Sequence, residues 1–153
     1  MKKSVLILVS MLFCMCSQSQ QAVPPVLSSM DYRINDSSRF PSFHFMLRMD
    51  ADHRYWLSNA SGCDPDEAQT VEVTETFAQQ LRQIVVEEYM LAYKTHYRRL
   101  IDIQDGEFWT LNIRFADSDV SVHTSGQQAY PKGDGLQRIQ QLCLDTWNQL
   151  NNL

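Results

Sequence analysis

The most regular alternation of hydrophobic and polar residues in this chain runs from residue 108 to residue 122. The apolar residues that share one side of the stretch are Trp109, Leu111, Ile113, Phe115, Val120 and Val122. A polar segment at 116–119 interrupts the alternation. Period-two alternation on both sides of a short polar turn predicts a β-hairpin with one buried face and one face toward water. We expect the rest of the chain to cover the buried face.

A second hairpin is predicted nearer the N-terminus. Its first strand covers residues 43–49, the turn covers 50–52, and the returning strand covers 54–58. Tyr55 and Leu57 lie on the inner side in this register, which a slip of one residue would reverse.

The two hairpins resemble each other in sequence. When Phe43 is placed on Trp109, Arg48 falls on Arg114. Each half of the chain then has the order strand, turn, strand, loop, helix, which suggests a ββα unit present twice. The alternative is that any two amphipathic hairpins align this well.

Two amphipathic helices are predicted, one after each hairpin. The first begins after Thr74, a residue type favoured at the N-cap, and ends between Tyr93 and Arg99. The second begins after Asp134 and continues to the end of the chain. The apolar stripes are Phe77, Leu81, Ile84, Val85 and Tyr89 in the first helix and Leu136, Ile139, Cys143, Trp147 and Leu150 in the second.

These elements predict an α+β fold of the form ββα-ββα. We expect a four-stranded antiparallel sheet with both helices packed on one face. Each buried apolar side chain contributes roughly 1.5–3 kcal/mol, and about twenty inward residues suffice for a domain of this size. The predicted single domain covers residues 42–153. Residues 20–41 are predicted to be a flexible linker, because Pro24, Pro25 and several Ser, Asn and Asp residues favour turns.

Residues 1–19 have the features of an export signal. Lys2 and Lys3 precede an apolar run at 5–13, which is too short to span a bilayer. Cys16 and Cys14 lie at the end of this run, and a polar tether follows. Either cysteine, Cys16 first, is a candidate for lipidation, and ordinary cleavage is the alternative. The prediction is an exported protein of the periplasm or cell envelope.

The charge balance argues against nucleic acid as a partner. The formal net charge of the 153-residue chain is −5, and removing Lys2 and Lys3 with the leader takes it to −7. Binding to nucleic acid requires clustered basic residues, whereas the densest basic cluster here is Lys94 with Arg98 and Arg99.

Cys63 and Cys143 are the only cysteines in the predicted domain. An exported protein usually meets oxidising conditions. A disulfide between the two is therefore one alternative, and two unpaired thiols, one in a loop and one buried, are the other.

No motif predicts a catalytic residue, a metal site or a cofactor. The chain lacks the phosphate-binding glycine motifs, the HExxH zinc motif and the GxSxG nucleophile motif. Asp50, Asp52 and His53 form the densest cluster of acid and imidazole groups, but aspartate is also expected at a hairpin turn for backbone reasons.

The sheet face away from the helices holds the candidate binding residues. They are Arg48, Trp56, Arg114 and His123, with His44, Met46 and Phe108 on the same face. Aromatic residues and arginines on an open face are typical of interaction surfaces. Arg48 and Arg114, equivalent in the two hairpins, could together receive an anionic group. The alternative is an ordinary exposed face whose arginine stems cover apolar surface.

The whole pattern resembles small lipoproteins of the gut Bacteroidetes that have no assigned activity. The resemblance rests on the cysteine-containing leader, the ββα-ββα body, the strand 108–115 and the positions Gly126, Pro131, Leu136 and Leu142. It implies no enzymatic activity.

Three functions are compatible with these observations. The first is an exported, non-enzymatic binding or accessory domain, with or without a membrane tether, whose partner is a protein or another envelope component. The second is a small hydrolytic or metal-dependent enzyme that uses Asp50, Asp52 and His53, or His123. The third is a structural envelope protein that self-associates through an uncovered sheet edge.

Overall fold

The computed structural model describes residues 22–36, 38–99 and 106–151. Within these residues the strands are β1 (Leu27–Asn35), β2 (Phe43–Met49), β3 (Tyr55–Asn59), β4 (Gln69–Val73), β5 (His96–Arg98), β6 (Phe108–Phe115) and β7 (Ser121–Gln127). The α-helices are α1 (Glu75–Glu87) and α2 (Gly135–Asn151), and short 3₁₀ helices cover Pro65–Glu67 and Met90–Ala92. The predicted leader, with the lipidation candidates Cys14 and Cys16, lies outside the described residues.

The seven strands form one mixed sheet in the order β4-β3-β2-β1-β6-β7-β5. Every neighbouring pair is antiparallel except β5 and β7, which are parallel. The α+β class and both hairpins, β2–β3 and β6–β7, are confirmed. The prediction of a four-stranded antiparallel sheet is wrong, because β1, β4 and β5 add three strands.

The central strand β1 occupies the segment 20–41 that was predicted to be a linker. It pairs with β2 on one side and with β6 on the other. Its apolar residues alternate from Met30 to Ile34, as a half-buried strand requires. The register with β6 shifts between Leu27 and Ser29, which marks a β-bulge. The bulge interrupts the period-two pattern, and the surrounding turn-forming residues conceal the strand further.

Equivalent positions of the two hairpins lie on either side of the same β1 residue. Ser29 is opposite Arg48 on β2 and Arg114 on β6. Three buried residues of β1 show the same arrangement: Met30 with Leu47 and Ile113, Tyr32 with Phe45 and Leu111, and Ile34 with Phe43 and Trp109. The hairpins therefore flank β1 at matching heights, whereas the sequence suggested that they lie next to each other.

The helices begin as predicted, but α1 ends early. Thr74 occupies the N-cap position of α1, and Asp134 directly precedes α2. The last residue of α1 is Glu87, well before the predicted end within 93–99. Tyr89 has a left-handed backbone conformation with φ of 51°, so α1 does not continue into the short 3₁₀ helix at Met90–Ala92 that precedes β5.

Neither helix in the described part of the chain has the length and apolarity needed to cross a membrane.

Both helices contribute to one apolar core on a single face of the sheet. Trp109 is fully buried there, its Nε1 donates to the carbonyl oxygen of Ala129 at 2.9 Å, and its ring stacks on Tyr130. Gly126 lies so close to Trp109 that a Cβ atom at this position would collide with the indole. Close packing of this kind leaves little room for substitution.

Arg82 fixes the segment before β1 to α1. Its guanidinium donates to the carbonyl oxygens of Pro24 and Val23 at 2.7 and 2.8 Å. These bonds satisfy two backbone acceptors that no strand pairs. The chain therefore enters the sheet from the helix side, and the opposite face of the sheet is not covered by this segment.

Candidate functional site

The sheet face opposite the helices, here called the open face, is polar and mostly accessible to solvent. Its positions alternate with the buried positions of the same strands. Its titratable residues are Arg33, Arg48, Arg98, Arg114, His44, His96, His123, Asp31 and Glu72. Four arginines against two carboxylates make this face cationic in a chain whose net charge is −5. Such a face suits a ligand or partner that carries negative charge.

Arg48 and Arg114 flank the β-bulge of β1 on the open face. Both lie directly across from Ser29, and the pairing of β1 with β6 skips Ser28. Because adjacent strands are about 4.8 Å apart, the two arginine Cα atoms are separated by about 10 Å. Both side chains are exposed and long enough to reach the space above the two serines.

These groups have no partners within the part of the chain that the structure describes. Neither Arg48 nor Arg114 makes a hydrogen bond or an ion pair with a described residue, and the hydroxyls of Ser28 and Ser29 make no hydrogen bond there. Asp31 acts on Arg48 only through space. The bulge therefore presents hydrogen-bond donors to solvent with no described acceptor.

Asp31, the one carboxylate on the central strand, is engaged by His44. Its Oδ1 lies 3.2 Å from Nε2 of His44, which is 3.5 Å from the guanidinium of Arg33. The hydrogen bond from His44 is the main cause that lowers the pKa of Asp31, and Arg33 and Arg48 lower it further through their charges. Asp31 is thus held ionised by His44 and does not pair with Arg48.

His44 is fully buried, although its strand position faces the open side of the sheet. Its backbone N–H donates to the hydroxyl of Ser61 at 2.9 Å, and its carbonyl accepts from Ala60 at 2.9 Å. Nδ1 of His44 and Nε of Arg33 are buried without a hydrogen-bond partner among the described residues. We expected His44 to be exposed. The sequence did not predict that the loop after β3 contacts the backbone of His44.

Trp56 is held by the β2–β3 turn. Its Nε1 donates to Oδ2 of Asp50 at 2.9 Å, and the guanidinium carbon of Arg54 lies 5.5 Å from the centre of its ring. The indole N–H and one region of its ring surface are therefore already in use. As a binding residue Trp56 is less available than Arg48 or Arg114.

The acid and imidazole cluster at the same turn has a structural role. Oδ1 of Asp50 accepts the backbone N–H groups of Asp52 and Arg54, and these bonds close the turn. They also lower the pKa of Asp50, after the larger effect of Trp56. His53 is exposed and has φ of 61°. Among the described residues no three His, Cys, Asp or Glu groups are placed to hold a metal ion.

His123 lies on β7, where Nδ1 is hydrogen-bonded to Oδ1 of Asn112. Three strand spacings, about 14 Å, separate β7 from β2, which leads into the turn of Asp50. The structure therefore does not bring His123 together with Asp50 or Asp52.

Ser125 and His96 form a close serine–histidine pair, with 2.7 Å between Oγ and Nδ1. Nε2 of His96 accepts a hydrogen bond from Nε of Arg98 at 2.9 Å, so in the neutral ring the proton is on Nδ1. Nδ1 then donates to Ser125 and cannot take its proton, as activation of a serine nucleophile requires. The pair is therefore interpreted as a structural contact between β5 and β7.

Cys63 and Cys143 are both free thiols. Cys63 is partly exposed in the loop after β3, and Cys143 is fully buried in the core. Of the two alternatives predicted, the structure contains the unpaired thiols.

Sequence reasoning identified Arg48 and Arg114 but missed Ser28, Ser29 and Asp31. All three lie in the segment predicted to be a linker. The alternation of Met30, Tyr32 and Ile34 was the signal that could have revealed the strand.

Comparison with known proteins found no family model that matches this chain and no similar protein among the curated ones.

Proposed function

We propose that this protein is an exported, non-enzymatic binding domain that recognises a partner protein or envelope component through the open face. The observation that carries the proposal is the concentration of unpaired cationic donors at Arg48 and Arg114 in an otherwise acidic chain. Both arginines are exposed near the same end of the sheet, and neither forms an ion pair with a described carboxylate. Solvated arginines of this kind are suited to charge-assisted contacts with another molecule.

The enzymatic hypothesis has less support. Most of the groups that it requires have structural contacts of their own: Asp50 closes a turn, Asp52 pairs with Arg54, and His123 is hydrogen-bonded to Asn112. Active sites instead bring a nucleophile, a base and an oxyanion donor within reach of one atom.

Self-association through the sheet edge also has less support. The edge strand β4 has five residues and places Glu72 on the open face. Short edge strands with a charged residue are typical of edges protected from pairing with another chain.

Partner capture with matched variants tests the proposal. The immobilised wild type, an Arg48→Glu/Arg114→Glu variant and an Arg39→Glu/Lys132→Glu variant are incubated with cell-envelope extract of the producing organism. Arg39 and Lys132 are exposed in loops outside the sheet, so the control has the same change in net charge. We expect a component that the wild type and the control retain and the open-face variant loses. Identical retention by all three would contradict the proposal.

Export is tested separately, by mass spectrometry of the N-terminus of the native protein. We expect a chain that has lost the segment up to about residue 19, or one that begins at a lipid-modified Cys16 or Cys14. An unprocessed chain that begins at Met1 would contradict export.

A further inference from the structure

We infer that Arg48, Arg114 and the two serines of the bulge, Ser28 and Ser29, form a binding site for a single carboxylate group. The inference rests on the proposed function and deepens it, since it names the chemistry that the open face recognises. The four residues are here called the bulge site.

The bulge creates the shape of the bulge site. Leu27 and Met30 are both buried on the helix side, so the two serines between them fill a position that one outward residue would otherwise occupy. Bulges redirect side chains and are frequent next to functional sites. The two serines therefore lie between two arginines whose Cα atoms are about 10 Å apart, because β2 and β6 are two strand spacings from each other.

The donors of the bulge site match a carboxylate. Each guanidinium has five N–H donors in a planar fork that fits the two oxygens of a carboxylate, and each serine adds one O–H. Arg48 and Arg114 could approach one carboxylate from opposite sides, while Ser29 lies between them. Because none of these donors has a described partner, binding would not have to break an existing contact.

The surrounding charges favour a group with one negative charge. Asp31 follows two residues after Ser29 on the same face, and its lowered pKa keeps it ionised. Asp50 lies in the turn after β2, and Asp117 and Asp119 lie in the turn after β6, at the same end of the sheet. These carboxylates repel a phosphate, which carries about two negative charges, more strongly than a carboxylate.

Titration of the mature chain with acetate, followed by NMR, tests the inference. Sulfate and inorganic phosphate are titrated in parallel at constant ionic strength, and the signals followed are the Nε–H groups of Arg48 and Arg114 and the amides of Ser28 and Ser29. We expect saturable shifts with acetate and weaker binding of sulfate and phosphate. A preference for phosphate or sulfate would overturn the assignment to a carboxylate.

Matched variants separate a specific site from general attraction. We expect Arg48→Gln or Arg114→Gln to weaken acetate binding by about tenfold, as expected for loss of one charge-assisted hydrogen-bonding partner. Arg98→Gln removes the same charge from the same face, where Nε of Arg98 already donates to His96, and should change the affinity little. Ser29→Ala should weaken binding, whereas Ser58→Ala, whose hydroxyl bonds to Thr70, should not. Equal losses in the site and control variants would overturn the inference.

A short peptide with one glutamate side chain identifies the source of the carboxylate. Tighter binding of this peptide than of acetate, again dependent on Arg48 and Arg114, supports a polypeptide as the ligand. Equal binding supports a small carboxylate molecule at the same site. Loss of carboxylate binding with intact partner capture would overturn the bulge site alone, whereas carboxylate binding without capture that depends on the open face would overturn the proposed function alone.

Discussion

The two faces of the sheet are built from the same strands, yet the side chains of one face are packed against the helices and several on the other have no partner among the described residues. On the covered face, alternate residues of β2 and β6 pack into one apolar core with α1 and α2. On the open face, the residues between them include Arg48 and Arg114, which contact no described partner. Because successive side chains of a strand point to opposite faces, one face of the sheet stabilises the fold and the other remains available for binding.

His44 is the exception that defines the boundary between the faces. It lies on the open face but is fully buried, and its Nδ1 has no described hydrogen-bond partner. Its contact with Asp31 therefore affects the stability of the fold as well as the charge of the open face.

Trp109→Ala tests how much the covered face contributes to stability. We expect a loss of about 3–5 kcal/mol in the free energy of unfolding, because a large cavity replaces a fully buried ring. Arg114→Ala, on the same strand but on the open face, should change stability by about 0.5 kcal/mol or less. Urea denaturation of both variants measures the difference. Similar losses would contradict the division between the two faces.

Asp31→Asn tests whether the open face stabilises the fold at its buried histidine. Removing the charge of His44's partner should cost about 1 kcal/mol or less near neutral pH, because the Asp31 side chain is 43 % exposed and water screens the pair. Because the pKa of Asp31 is lowered in the folded protein, its ionised form stabilises the fold at pH values above its unfolded pKa, near 3.9. That contribution is lost as the pH falls through the lower folded pKa.

Denaturation of the wild type and Asp31→Asn between neutral and strongly acidic pH provides the measurement. The two stabilities should converge in acid, where both side chains are neutral. A difference that stays constant across this range would show that the charge of Asp31 has no role in stability.

Arg138→Met tests the polar contact between the two helices that form the covered layer. Arg138 on α2 forms ion pairs with Glu87 and Glu88 at the end of α1, the second at 2.9 Å. It lowers the pKa of Glu87, which also accepts a hydrogen bond from Gln83. We expect a loss of about 1 kcal/mol or less, since the pairs are partly solvated.

This loss is measured by denaturation at low and high salt. Salt should reduce the difference between wild type and variant, because it screens exposed ion pairs. A loss that is independent of salt would indicate that packing of the arginine stem, and not its charge, is responsible.

The sequence was most informative where the alternation was uninterrupted. It located β2, β3, β6 and β7 and the side of the sheet on which Arg48 and Arg114 lie, because each of these strands is half buried. It missed β1 because a bulge and turn-forming serines break its period. It missed β4 and β5 because strands of five and three residues at the sheet edges depend on their neighbours more than on their own pattern.

The complete bulge site could not have been predicted from the sequence. Arg48 and Arg114 are 66 positions apart, and only the insertion of β1 between their strands places both across from Ser29. Aligning the two hairpins shows that Arg48 and Arg114 are equivalent. The distance between them depends on the order of the strands in the sheet, and the alternation of polar and apolar residues does not specify that order.

The two cysteines test the same division between covered and exposed groups in the unaltered protein, with the smallest expected effect. Cys143 lies in the covered layer, fully buried, and burial raises the pKa of its thiol well above the usual value. Cys63 is partly exposed in a loop. Because the thiolate is the reactive form, an alkylating reagent should label Cys63 in the native protein and Cys143 only after unfolding. Mass spectrometry of the labelled peptides gives the order, and early labelling of Cys143 would mean that α2 detaches from the sheet in the native state.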